Sequence, residues 1–90
     1  MNTYDIIQMA KKYLDKTAEE FLKHYGLQNS FSTIIQKATE KVCQTKRIED
    51  YFDTITNGVV DEVTNNTSNN KTHDEVFEEF AYYYYSREFN

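Results

Sequence analysis

The sequence lacks proline and tryptophan, and its only glycines are Gly26 and Gly58. Proline and glycine supply the backbone conformations of most tight turns, so a chain nearly without them has few places for the hairpins that short strands require. The scarcity of turn residues therefore favours helices over sheets.

Cysteine is scarce, and long apolar runs are missing. The single Cys43 cannot form an internal disulfide, which fits a reducing cytoplasm. No apolar stretch approaches the ~20 residues needed to cross a bilayer, and no basic segment followed by an apolar run opens the chain. We therefore expect a cytoplasmic protein with no membrane partner.

Catalytic and metal-binding motifs are also missing from the sequence. His24 and His73 are far apart, and neither belongs to a cluster of cysteine, histidine or carboxylate residues with ligand spacing. No nucleophile elbow, glycine-rich phosphate loop or zinc-protease motif occurs. We predict that the protein is not an enzyme, uses no cofactor or metal, and acts by binding.

The chain does contain enough apolar residues for one small core. Hydrophobic residues make up 39% of its 90 residues, and they include eight tyrosines and six phenylalanines. A chain of this size buries only ~60 to 65% of the surface that its unfolded form exposes, which leaves no room for a second core. We therefore predict a single domain over residues 1–90.

In the first third of the chain, apolar residues recur at helical spacing. We predict a first helix that ends near Lys16 and a second that begins at a capping box formed by Thr17 and Glu20. Gly26 is the predicted stop, because a residue without Cβ enters the left-handed conformation at little cost. The residues predicted to face the core here are Ile6, Ile7, Ala10, Leu14, Phe21, Leu22 and Tyr25.

The same periodicity continues to the C-terminal part. Residues 31–57 form either one bent helix or two, and Gly58 is expected to kink or break the chain there. An asparagine-rich loop is predicted at 64–71, followed by a last helix with a capping box of Thr72 and Glu75. Its predicted inward residues are Val76, Phe77, Phe80, Ala81 and Tyr84. The fold class is therefore all-α, a compact bundle of four or five helices.

Charge is distributed unevenly along the chain, whose net charge is -5. Residues 1–47 carry a net charge of +3, whereas residues 48–90 carry -8. Carboxylates four residues apart on a helix rise by ~6 Å, a pitch comparable with that of a nucleic-acid backbone. The acidic residues predicted to bind a partner are Glu49, Asp50, Asp53, Glu75, Glu78 and Glu79.

Four consecutive tyrosines, residues 82–85, follow this acidic stretch. Only some of them can face one core, and tyrosine is a preferred interface residue. By helical spacing Tyr82 lies opposite the core among the glutamates, so we predict that it is exposed. Tyr82 and Tyr83 therefore join the predicted partner-binding residues.

The asparagine-rich, proline-free composition and the acidic C-terminal half that ends in YYYYSREFN make the chain look like the small acidic proteins of phages and mobile elements. Many anti-CRISPR proteins, which block Cas nucleases by occupying nucleic-acid-binding surfaces, belong to this class. The resemblance implies an inhibitor whose acidic half docks on a basic, nucleic-acid-binding host protein such as a Cas nuclease.

An alternative reading concerns residues 18–38, AEEFLKHYGLQNSFSTIIQKA, which resemble a helix-turn-helix with Gly26 at the turn. The resemblance implies a transcriptional regulator, as a monomer or a dimer, whose recognition helix within residues 29–41 binds duplex DNA. Leu22 departs from the motif, which favours a small residue there. The predicted DNA-binding residues are Ser32, Thr33, Gln36, Lys37 and Lys41. A purely structural or assembly protein is the third possibility.

Overall fold

Four α-helices account for the fold in the computed structural model, which describes residues 2–66 and 70–86. They are α1 (Thr3–His24), α2 (Phe31–Thr45), α3 (Ile48–Asn66) and α4 (His73–Ser86). A single turn of 3₁₀ helix, Gln28–Ser30, joins α1 to α2. The described residues contain no strand, so the prediction of an all-α bundle is confirmed, with four helices.

Helix α1 is one continuous element of 22 residues. The predicted boundary near Lys16 and the predicted capping box of Thr17 and Glu20 are therefore wrong. Thr17 is fully buried, and its hydroxyl donates a hydrogen bond to the backbone carbonyl of Tyr13, one turn earlier, at 2.8 Å. A threonine bonded in this way is satisfied in the middle of a helix, so it has no need to act as a cap.

The C-terminal end of α1 lies at the predicted glycine. Gly26 has a φ of 72°, in the left-handed region. Its N–H donates to the carbonyl of Lys23 at 3.0 Å, and the N–H of Leu27 donates to the carbonyl of Leu22 at 2.8 Å. These two bonds form a Schellman motif, which satisfies carbonyls that the helix end would leave unpaired.

Residues 31–57 form two helices, and the boundary between them lies at Lys46, which has a φ of 62°. The break expected at Gly58 does not occur, because α3 runs through it. A Cβ placed on Gly58 would lie 3.0 Å from Cγ2 of Ile34. Gly58 therefore lets α3 approach α2 closely, because a methyl group at this position would require the Ile34 side chain to shift by a few tenths of an ångström.

The start of α4 confirms the second predicted capping box. The Thr72 hydroxyl accepts a hydrogen bond from the N–H of Glu75 at 3.2 Å, and the Glu75 carboxylate accepts one from the N–H of Thr72 at 2.9 Å. The predicted loop at 64–71 begins later than expected, because α3 continues to Asn66. Of its remainder, residues 67–69 lie outside the described part of the chain.

Helix α3 packs against all three other helices and supplies the largest share of the core. Helices α1 and α4 run antiparallel, since the ring of Tyr13 meets that of Tyr84 (centroids 4.9 Å apart) and Phe21 meets Phe80 (5.3 Å). The buried apolar residues are Leu14, Ala18, Phe21, Leu22, Ile34, Ala38, Tyr51, Ile55, Val59, Val60, Val63, Val76 and Phe80.

Two residues predicted to face the core are exposed instead. Ile6 is 55% exposed, and it lies about two turns before Tyr13, the residue of α1 that packs against Tyr84. Phe77 is 47% exposed because it sits at the edge of the apolar face of α4 and lines an open groove. Both predictions followed helical spacing, which does not show whether a neighbouring helix covers a given position.

Candidate partner-binding surface

Helix α4 carries an acidic and aromatic surface on the side away from the core. Glu75, Glu78 and Tyr82 are all exposed, and their spacing of three and four residues places them along one side of the helix. Tyr82 is 72% exposed, which confirms its predicted position. The side chain of Glu78 makes no hydrogen bond or ion pair with any residue that the structure describes. We call these three residues the outer face of α4.

The structure places Glu79 away from this outer face. Its carboxylate accepts a hydrogen bond from the hydroxyl of Tyr25 on α1 and forms an ion pair with the ammonium group of Lys71. Burial alone would raise the pKa of Glu79, but the hydrogen bonds from Lys71 and Tyr25 outweigh burial and lower that pKa. The Glu79 charge is thus compensated within the fold, where it joins α4 to α1 and to the segment before α4.

The four tyrosines of α4 divide into two pairs. Tyr83 is half-buried, with its ring edge-on to Phe21 (centroids 5.1 Å apart), and Tyr84 packs against Tyr13. Tyr82 and Tyr85 are the exposed pair, and Tyr85 is 82% exposed. Of the two predicted binding tyrosines, only Tyr82 is therefore freely available, while the exposed Tyr85 was missed.

At the start of α3, the three predicted acidic residues differ in their surroundings. Asp53 is exposed and Asp50 is partly exposed, and both interact with the charge of Arg47, although neither carboxylate accepts a hydrogen bond or forms a close ion pair with another described residue. Glu49 accepts a hydrogen bond from Nε of Arg47 at 2.9 Å, and both side chains are exposed. The carboxylate of Glu49 also accepts a hydrogen bond from its own backbone N–H, and this bond, followed by the one from Arg47, lowers the pKa of Glu49. An exposed pair of this kind contributes little to stability.

An apolar groove runs between α1, α3 and α4, with a volume of about 380 Å³. Phe52 of α3 lies in one wall, and Phe77 and Tyr85 of α4 lie in the other. Leu14 and Ala81 also line it. One signal for this groove is present in the sequence, since Phe77, Ala81 and Tyr85 recur every four residues. The groove itself forms only where α1, α3 and α4 come together.

The five predicted DNA-binding residues are all exposed on α2. Two of them, Thr33 and Lys37, line a polar groove between α2 and α3 together with Asp61 and Glu62. A third, Gln36, donates a hydrogen bond to Glu40 at 3.3 Å. The predicted DNA-reading surface of α2 is therefore accessible, but carboxylates border it.

Within residues 2–66 and 70–86, no three histidine, cysteine or acidic side chains lie together in a way that could hold a metal ion. None of the helices in these ranges has the length and apolar character required to span a membrane. No protein-family model matches the chain, and neither a curated protein nor a solved structure matches it.

Proposed function

We propose that the chain is a small acidic inhibitor, of the kind that the anti-CRISPR resemblance implies. Its outer face of α4, with the acidic start of α3, would dock on a basic nucleic-acid-binding surface of a partner protein such as a Cas nuclease. The observation that carries this proposal is Tyr82, a ring 72% exposed on the same side of α4 as two glutamates. Such a ring adds nothing to the core, whereas at an interface it supplies rigid contact area.

Unpaired carboxylates support a basic partner. The side chains of Asp53, Asp74 and Glu78 have no hydrogen bond or ion pair with the described residues, so each retains its capacity to accept bonds from lysine or arginine. Residues 48–90 together carry a net charge of -8, and charge of one sign accelerates encounter with an oppositely charged surface. We therefore expect the acidic half to steer association, and Tyr82 to slow dissociation.

A substitution pair on the outer face tests this proposal. Glu75→Gln with Glu78→Lys removes negative charge, and glutamine preserves the capping box that glutamate forms with Thr72. Glu40→Gln with Glu19→Lys makes the same change in net charge at exposed positions on α2 and α1, and serves as the matched control.

Two measurements are made on each variant. The first is binding to purified Cas nucleases and to the heparin-binding fraction of a nuclease-treated bacterial lysate. The second is inhibition of DNA cleavage by the same preparations. We expect the parent protein and the control pair to bind and inhibit, and the outer-face pair to lose most of that activity. The proposal fails if the parent protein binds no basic protein, or if both pairs behave like the parent.

A helix-turn-helix regulator is the second candidate, supported by the exposure of all five predicted DNA-binding residues on α2. Duplex DNA would then be bound with an affinity that falls steeply with salt, and Lys37→Ala with Lys41→Ala would flatten that dependence. The carboxylates of Asp61 and Glu62 beside Lys37 oppose phosphate binding at this surface. Electrophoretic mobility shifts at low salt decide the matter, since absence of a shift with bulk duplex DNA removes this candidate.

A further inference from the structure

We infer that the groove between α1, α3 and α4 receives a basic amphipathic helix of the partner protein. This inference rests on the proposed function for the basic character of the partner, and it adds the structural element that the partner presents. The groove adjoins the outer face of α4 but does not include it, since neither Glu75, Glu78 nor Tyr82 lines the groove.

The length of the groove suits a helix. Phe77, Ala81 and Tyr85 recur every four residues along one wall, so they span a rise of about 12 Å. The apolar residues of an amphipathic helix, at positions i, i+3 or i+4, and i+7, span about 10.5 Å. The exposed rings of Phe77 and Tyr85 line, together with Phe52, a groove of about 380 Å³, which accommodates two or three such side chains.

Charges at the borders of the groove select a basic helix. Asp53 follows Phe52 on α3, while Asp74 lies one turn before Phe77 on α4 and Glu78 lies one turn before Ala81. None of these three carboxylates is paired with another described residue. The positive charge of Lys11 on α1 is compensated within the fold, because its ammonium group lies 3.4 Å from Asp15 and over the ring of Tyr51. A helix with lysine or arginine beside its apolar stripe would therefore find carboxylates on both sides.

A second copy of the chain fits the groove less well. Each copy carries a net charge of -5, so two copies repel each other as they approach. An acidic helix would be repelled for the same reason, because Asp53, Asp74 and Glu78 would face like charges. Charge complementarity thus favours a basic helix of another protein.

Two designed, fluorescein-labelled peptides of about four helical turns test the inference. Both carry leucines at positions i, i+4 and i+7. The basic peptide has lysine and arginine beside the leucines, and the acidic peptide has glutamate at the same positions. Fluorescence anisotropy measures their binding to the full chain. We expect the basic peptide to bind, to gain helicity by circular dichroism, and to bind more weakly as salt is raised.

Two exposed tyrosines offer a matched pair of variants for the same assay. Tyr85→Ala removes an exposed ring that lines the groove, whereas Tyr4→Ala removes an exposed ring of α1 that does not. Tyr85→Ala should weaken binding of the basic peptide by about tenfold, and Tyr4→Ala should leave it unchanged. Phe77→Ala should weaken it as Tyr85→Ala does.

Three results overturn the inference: no binding of the basic peptide, equal binding of the acidic one, or equal effects of Tyr4→Ala and Tyr85→Ala. Light scattering supplies a further one, since a dimer that Tyr85→Ala dissociates would identify the occupant as a second copy. Failure of the proposed function gives a different result, in which changes on the outer face of α4 leave nuclease inhibition intact while the parent chain still binds the basic peptide.

Discussion

Tyr51→Phe is the sharpest test of how the bundle is held together. The Tyr51 side chain is fully buried, and its hydroxyl donates a hydrogen bond of 2.6 Å to the carboxylate of Asp15 on α1. Phenylalanine keeps the ring in place and removes only this bond. Hydrogen bonds to a charged group contribute about 1.5 to 3 kcal/mol. In the variant, Asp15 remains partly exposed to solvent and keeps its ion pair with Lys11, so we expect the free energy of unfolding to fall by about 1 to 2 kcal/mol.

Urea unfolding followed by circular dichroism measures this loss. For a domain of this size it corresponds to a fall in Tm of roughly 4 to 16 °C. Tyr4→Phe is the control, because Tyr4 is 68% exposed and its hydroxyl has no partner in the described part of the chain. If Tyr51→Phe and Tyr4→Phe are equally stable, the buried bond between α3 and α1 contributes nothing and the reasoning is refuted.

The hydrogen bond between Tyr51 and Asp15 should also make the stability of the fold depend on alkaline pH. Burial, followed by the hydrogen bond to Asp15, raises the pKa of Tyr51 well above its ordinary value of 10.0. A raised pKa in the folded state means that the stabilisation is complete below the pKa of the unfolded chain and is lost as pH rises above it. We therefore expect the free energy of unfolding to fall above about pH 10, and to fall less steeply in Tyr51→Phe.

Three further changes test the packing and the helix ends by urea unfolding. Gly58→Ala should destabilise by up to about 2 kcal/mol, because the clash with Ile34 outweighs the better helix propensity of alanine; a more stable variant would contradict this packing. Thr72→Ala should cost about 1 kcal/mol through loss of the capping box, and an unchanged stability would show that the cap is not formed. Phe80→Ala should cost about 3 to 5 kcal/mol, and an unchanged Tm would contradict the burial of α4.

Most of the secondary structure could be predicted from local sequence, and the failures have a common cause. The glycine stop at Gly26 and the capping box at Thr72 depend only on residues within one turn, and both are confirmed. Thr17 has the same local pattern as Thr72, but it is buried, and packing decided its role. Gly58 likewise fits the pattern of a helix breaker, but its role is set by the close approach of Ile34 on α2. Local patterns cannot distinguish such cases, because tertiary contacts override propensity.

The candidate site was predicted in part for the same reason. The exposure of Tyr82 follows from helical spacing on one helix, so the sequence sufficed. The bonds that draw Glu79 to Tyr25 join residues 54 positions apart, and no pattern within α4 indicates them. The groove with Tyr85 requires α1, α3 and α4 together. Contacts between distant parts of the chain therefore set the limit of what could be predicted.

The central claim is that the outer face of α4 binds a basic partner, and surface plasmon resonance tests it most directly. The parent chain, Tyr82→Ala and Glu78→Lys are each measured against the protein captured from the heparin-binding fraction, with thermal melts to verify folding. We predict that Glu78→Lys lowers the association rate and its salt dependence. We predict that Tyr82→Ala raises the dissociation rate by the equivalent of about 1 to 3 kcal/mol. Parent-like rates in both folded variants would contradict the claim.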